Sequence, residues 1–472
     1  MKKYILLIFV LTWVSCQDVL KEEPKAISVS TFYNTAAEVE AGVNAIYSGF
    51  STSYSFIFPC LLESLSDMVQ GRGSFVQDFQ TLSTTSISRS DGDWGNFYLS
   101  IRNANLIIKN APNGSKISAV DIAKYVGEAK FLRALAYFHL VRLWGGVPIR
   151  TEINNMMVTD VPRSTAAEVW QLIISDLKYA ETNLPDIPSM AGRPSKWAAK
   201  TVLADIYFYQ GLNSEASAKA KEIIQSGKYS LVKIGKVDDF NSKLYGTAVV
   251  NSTEEIFYFK FTTAGLIGQT IYFILINAPI YAGGRGNYAL YTDTLRNPMF
   301  SHWDNRDLRK QNWYPYNFGQ GPATMLSKKF IDPNANGGGS GIDFPLYRYA
   351  DLLLLYAEAS SNNGPTADGL EALNQVHRRA YGKNPTTPSD IDFRLADYNA
   401  QSFLDLVIKE RGYETVIEGK RWFDLKRCGK VQEYVKTFRG INAAEKILLW
   451  PIPVSEMAYN KAITEKDQNP GY

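Results

Sequence analysis

Two stretches of the chain share one layout, and that layout limits the possible architecture more than any other feature. Residues 197–229 (WAAKTVLADIYFYQGLNSEASAKAKEIIQSGKY) carry small alanines through a first amphipathic run, then a glycine at a turn, then a second amphipathic run ending in Gly227-Lys228-Tyr229. Residues 349–380 (YADLLLLYAEASSNNGPTADGLEALNQVHRRA) repeat the same logic. Small side chains let two helices approach and glycine lets the chain reverse, so each stretch predicts a tetratricopeptide-like helix pair of about 34 residues. Such pairs stack into a scaffold that positions other elements and does no chemistry itself.

Other segments carry the helical period without the full repeat. Apolar residues recur at three- and four-residue spacing over 38–50, 97–109 and 122–143, which predicts amphipathic helices on a shared core. The last of these stops at Trp144-Gly145-Gly146-Val147-Pro148, where glycine accepts positive φ and proline cannot continue the ladder. Two less regular pairs are expected near 97–143 and 165–184. Trp94, Tyr98 and Ile101 share a helical spacing that assigns Trp94 to the core.

The texture changes over residues 231–343. Residues 255–260 (EIFYFK) read as a strand, after which Gly, Asn, Pro and aromatics dominate up to Gly337-Gly338-Gly339-Ser340. Eleven of the 47 residues from 272 to 318 are Phe, Tyr or Trp, well above the 13% of the whole chain, so this region is the expected ligand-binding face. A pyranose offers an apolar face of C–H groups for an aromatic ring and a rim of hydroxyls for planar polar partners. Trp303 beside Asp304 and Asn305, and Trp313, Tyr314, Tyr316 and Asn317 with Gln320, supply both in adjacent positions. Tyr281 and Tyr288 flank a glycine-rich loop that includes Asn287, and Arg72, Phe75 and Asp78 form a second wall. These are the candidate ligand residues; any one aromatic could instead pack under its own loop.

The charge balance, 50 Lys+Arg against 47 Asp+Glu, gives +3 and argues against nucleic acid as a partner. Three cysteines cannot build a disulfide framework, three histidines leave little room for a metal site, and no metal or cofactor is expected. Cys60 and Cys428 read as buried small hydrophobes, His139 and His377 as packing or capping groups, and His302 as a lone histidine in the ligand region. Glu410, Glu414 and Glu418 share one helical face. They could be read as a glycosidase acid and base, but each has Arg or Lys close by, which favours an ion-pair network. A catalytic acid needs an apolar site that raises its pKa. No G-x-S-x-G, H-E-x-x-H or Walker A lysine is present, and no catalytic residue is assigned.

The N-terminus sets the compartment. Lys2 and Lys3 precede an apolar run over 4–14, too short to span a bilayer and suited to a signal-peptide core. It ends in Val14-Ser15-Cys16, similar to a lipobox with Trp13 in the usual leucine position. Cleavage after residue 15 and lipidation of Cys16 are expected, with ordinary secretory cleavage as the alternative. Lipid would then be the anchor.

Several runs then resemble, in order, the signatures of the SusD/RagB family of surface nutrient-binding lipoproteins. They are EAKFLRALAYFHLVRLWGGVP over 128–148, FPLYRYADLLLLYAEA over 344–359, IKERGYETVIEGKRWFDLKR over 408–427, WPIPVSEMAYN over 450–460 and the terminal QNPGY over 468–472. Residues 304–309 (DNRDLR) are similar to the family's RDPR-like segment, with Leu308 in the proline position. The resemblance implies a mostly α, tetratricopeptide-like superhelical scaffold with irregular loops and a few short strands on the ligand face. Its implied layout is a signal peptide over 1–15 and one domain over 16–472. Scaffold would lie at about 30–230 and 344–430, the loop-rich region at 231–343, and a C-terminal segment at 431–472. It further implies a non-enzymatic lipoprotein on the outer face of the outer membrane, closing over a SusC-like TonB-dependent transporter. The ligand implied is an oligosaccharide or, as in some members, a peptide.

Overall fold

The computed structural model describes residues 32–56, 58–72, 76, 90–153, 158–263, 276–284, 286, 289–335, 339–440, 442–443 and 445–472. The signal segment, Cys16, Phe75, Asp78, Asn287 and Tyr288 lie outside the described residues.

Side chains start the helices where the sequence supplies caps. Thr35 and Glu38 form a reciprocal capping box at the start of α1 (Ala36–Ser55). After the short α2 (Phe58–Ser64) and strand β1 (Gln70–Gly71) come α3 (Asp91–Asn110), α4 (Ala119–Trp144, capped by Ser118) and α5 (Ala166–Asn183, with a Thr165/Glu168 capping box). The first repeat forms α6 (Lys196–Tyr209) and α7 (Asn213–Gln225). The second forms α10 (Tyr349–Ala359) and α11 (Ala367–Ala380), numbered after two single-turn helices, α8 (Pro298–Ser301) and α9 (Leu308–Gln311). Then follow α12 (Ala400–Thr415), α13 (Arg421–Arg427), α14 (Val431–Arg439) and α15 (Val454–Tyr459).

Successive helices pack antiparallel in a row, α1 to α3 to α4 to α5 to α6 to α7, and α7 packs directly on α10. The protein is mostly helical and has the tetratricopeptide-like scaffold expected. One expectation is corrected: 165–184 is a single helix, α5, whose partners are α4 and α6, because no glycine interrupts it. Helix α4 is buried from Tyr125 to Trp144 at every position but Lys130, its charged side chains Glu128, Arg133 and Arg142 included, and forms the centre of the core. It ends as the sequence requires: Gly145 adopts φ 76°, and a Cβ on Gly146 would sit 2.2 Å from the Ser164 carbonyl.

The C-terminal motifs strap this end. Trp450 donates its backbone N–H to Leu143 O (2.6 Å) and packs edge-on against Trp144, while Asn469 Nδ2 donates to Trp144 O (2.9 Å).

The loop-rich segment is an excursion between two helix pairs that touch. Its stems are β2 (Glu255–Phe259) and β6 (Phe344–Arg348), paired antiparallel with Glu255 opposite Arg348 and Phe259 opposite Phe344. Within the excursion lie β3 (Leu290–Asp293), β4 (Trp313–Pro315) and β5 (Thr324–Ser327). With β1 they make a small antiparallel sheet in the order β1-β3-β5-β4. Among the described residues no helix is long and apolar enough to cross a membrane.

Candidate functional site

Alternation along β4 divides its aromatics between two faces. Trp313 turns inward, 6% exposed, with its ring against Phe300 at 5.6 Å. Tyr314 turns outward opposite Leu326, and Tyr316 and Phe318 continue its period of two beyond the strand. On this outer face Tyr281 meets Tyr314 edge-on at 5.0 Å, Tyr314 meets Tyr316 at 6.3 Å, Tyr316 meets Phe318 at 6.3 Å and Phe318 meets Tyr291 at 5.4 Å. Five rings thus form one continuous run over a floor of Ala278 and Leu326, separate from the main core. Burial pushes the hydroxyls of Tyr314 and Tyr291 above the ordinary tyrosine range, so both are neutral groups for hydrogen bonding.

Polar groups rim the run. Tyr291 Oη donates to Gln320 Oε1 (3.3 Å), and Gln320 and Asn317 are exposed beside it. The Arg72 guanidinium lies 5.4 Å from the Phe318 centroid, and Lys328 Nζ lies 5.3 Å from that of Tyr281 and 5.5 Å from that of Tyr314. The half-exposed rings of Tyr281, Tyr314, Tyr316 and Phe318, beside planar amides and cations, can stack on sugar rings and bond their hydroxyls, while Tyr291, 7% exposed, packs edge-on against Phe318 and supports the run.

Of the predicted residues, Arg72, Tyr281, Tyr314, Tyr316 and Asn317 come together here. Trp303 and Trp313 do not, and this corrects the expectation for both. Trp303 is 2% exposed, stacked on Tyr413 with centroids 4.1 Å apart, and its indole N–H donates to Asp307 Oδ2 (2.8 Å). Neither tryptophan has a face to offer a ligand. Phe318 and Lys328 join this face without being expected there; the alternation at 314, 316 and 318 carries the signal for Phe318.

The carboxylates of 410–418 are a buried ion-pair network. Arg348, fully buried, pairs with Glu254 (3.1 Å), Glu414 (2.9 Å) and Glu418 (2.7 Å). Arg379 joins Glu254 (2.8 Å) and Glu414, Lys329 joins Glu418 (2.5 Å), and Arg309 joins Asp307, Glu410 (2.6 Å) and Glu414 (3.1 Å). The DNRDLR segment therefore ties α9 to α12. Burial alone would raise the Glu410 carboxyl, but Arg309 and His377 outweigh it and hold it down at about 2. Burial is likewise outweighed at Glu414 by Arg379, Arg348 and Arg309, which hold it well below the ordinary range. Neither is the proton-holding acid that glycoside cleavage uses.

The remaining singled-out residues are not part of this ring run. Trp94 is buried and donates to Glu456 (3.4 Å); His139 is buried against Phe97 and hydrogen-bonded to Tyr54 (2.9 Å) and Arg142 (3.1 Å). His377 packs between Tyr381 and Phe393, His302 is exposed at the end of α8, and the thiols of Cys60 and Cys428 are unbridged. No group of His, Cys, Asp and Glu among the described residues could hold a metal ion. Away from the sheet, a cleft of about 510 Å³ beside Trp197 and a cavity of about 330 Å³ beside Tyr98 keep their principal charges paired, Lys228 with Asp186 and Arg150 with Glu456.

Comparison with known proteins agrees along most of the chain. Residues 255–472 match the SusD family model, and residues 23–208 match a model described as starch-binding associating with outer membrane. A SusD-like protein of Formosa agariphila is 27% identical over 475 residues, covering 93% of this chain and 92% of the relative. A SusD superfamily protein from Bacteroides vulgatus superposes with TM-score 0.78 at 21% identity, covering 94% of this chain and all of that one. A laminarin binding SusD-like protein superposes with TM-score 0.76 at 25% identity, covering 93% and 100%.

Proposed function

The chain belongs to the SusD/RagB family, and from that premise we propose that it is a surface lipoprotein that captures oligosaccharides and passes them to a SusC-like TonB-dependent transporter in the outer membrane. The observation that carries this reading is the run of five rings on the outer face of the small sheet, rimmed by Gln320, Asn317, Arg72 and Lys328. The half-exposed rings of the run, Tyr281, Tyr314, Tyr316 and Phe318, take the apolar sides of successive sugars, while the rim takes their hydroxyls. Each stacked ring contributes about 1 kcal/mol, by analogy with aromatic pairs, so capture is reversible and suits handover.

The likeness to a laminarin binding protein supports a glycan as the ligand class. Capture requires no bond cleavage, and the depressed Glu410 and Glu414 carboxyls fit a bracing role better than a catalytic one. Cys16 would carry the lipid that holds the protein at the membrane, and the transporter would supply the barrel that spans it. A glycan array with the soluble domain, residues 17–472, tests the proposal. Binding that falls on Tyr316→Ala supports it; a folded domain that binds no glycan overturns it.

A further inference from the structure

The hydrogen bonds already made by side chains around the ring run decide what is left for a ligand. Asn317 Oδ1 accepts the Gly319 backbone N–H (3.0 Å), and Gln320 Oε1 accepts the Tyr291 hydroxyl (3.3 Å). Tyr314 Oη accepts the Ala278 backbone N–H (3.4 Å), which leaves its own proton to donate. Among the described residues no hydrogen bond or ion pair engages the Lys328 ammonium, 5.3 Å from the Tyr281 centroid and 5.5 Å from that of Tyr314. Amide nitrogens, an ammonium and a phenol proton remain, so donors outnumber the lone pairs still open on these side chains; the Tyr281 hydroxyl serves either way. They stand at both ends of the run, Lys328 and Tyr314 toward Tyr281, Asn317 and Gln320 toward Phe318. Charge does not set the ligand class here. Arg296 is paired with Asp293 (3.5 Å), and Asp332 adjoins the Tyr281 end, its backbone N–H bonding the Tyr281 carbonyl (3.0 Å). The same end leaves an apolar side chain in water: Ile280, 74% exposed, stands next to Tyr281 in one turn. Donors without an excess of charge, beside apolar surface, suit a neutral acceptor that carries a methyl group.

Resting on the glycan reading of this same patch, we infer that its ligand is an acylated oligosaccharide, one whose sugars carry N-acetyl or O-acetyl groups. A carbonyl oxygen has two lone pairs and no proton, so it takes two of these donors at once, whereas a sugar hydroxyl must also place a proton. The acetyl methyl packs against the ring edges and Ile280. A site arranged to donate loses bonds when the carbonyl is missing, which sorts acetylated from bare chains of the same backbone.

The test is calorimetric titration of residues 17–472 with two matched pairs and a reference. Chito-oligosaccharides and cello-oligosaccharides of equal length share a backbone and differ by acetamido against hydroxyl. Acetylated xylo-oligosaccharides are compared with the same chains after deacetylation, and laminari-oligosaccharides are the reference without acetyl groups. At least one acetylated series is expected to bind about tenfold more tightly than its bare partner, and to keep that margin in about 0.3 M salt because the carbonyl is uncharged. The pair that responds tells amide from ester. Gln320→Glu and Asn317→Asp exchange N–H donors for acceptor oxygens at nearly constant shape, so each should cut the ratio of acetylated to bare affinity by about fivefold with the melting temperature held. Bare chains binding as tightly as acetylated ones in both pairs, acetylated chains failing where the reference binds, a margin lost in salt, or a ratio unmoved by both substitutions overturns the acyl class and leaves glycan capture standing. No binding of any series by the folded protein overturns both.

Discussion

Trp303 lies flat on Tyr413, with ring centroids 4.1 Å apart and planes within 7° of parallel, and this contact joins the excursion to helix α12. The indole N–H is spent on Asp307, itself paired with Arg309. Trp303→Ala should therefore behave as a core truncation, costing about 3 to 5 kcal/mol of stability. Thermal melting would show a large drop, while the affinity of the remaining folded protein for a glycan stays at the wild-type value.

Arg348 faces three carboxylates in a site from which water is excluded. Arg348→Met leaves Glu254, Glu414 and Glu418 short of a counter-charge and should cost about 3 to 5 kcal/mol. Adding Glu418→Gln should restore part of the loss, as measured by denaturant unfolding of both variants. A single variant as stable as wild type would show the network to be dispensable.

Glu63 and Asp93 give stability a pH dependence of predictable sign. Burial pushes the Glu63 carboxyl up to about 7 from an ordinary 4.5, and the Asp93 carboxyl up to about 7 from 3.8. The folded chain then holds protons that the unfolded chain has released, so this stabilisation is full below the ordinary values and declines as pH rises through 7. Melting temperature should fall between pH 5 and pH 8, and Glu63→Gln should narrow that difference. Glu410, held at about 2, acts in the opposite sense, losing its contribution as pH falls below its ordinary 4.5.

The helix pairs were legible because three- and four-residue spacing with alanines at the contacts is a local signal. The excursion's topology was not, since the pairing of Glu255 with Arg348 joins residues far apart in sequence. Aromatic enrichment marked the candidate ligand region but could not orient its rings. In a strand, neighbours such as Trp313 and Tyr314 point to opposite faces, so treating them as one group mixed core with surface. The expected pair over 165–184 failed for a related reason: amphipathicity marks a helix, and only a turn residue marks two.

Anchoring should depend on one side chain. Cys16→Ala is expected to release the protein from membranes in cells lacking the transporter, as read by fractionation. Protein still sedimenting with membranes would point to another anchor.

The position of a bound glycan is the most direct test of the proposed function. A crystal structure of residues 17–472 with the best-binding oligosaccharide is predicted to show sugar rings stacked on Tyr316 and Phe318, with hydroxyls bonded to Gln320 or Asn317. A sugar seated instead in the cleft beside Trp197, with the five-ring run bare, would contradict it.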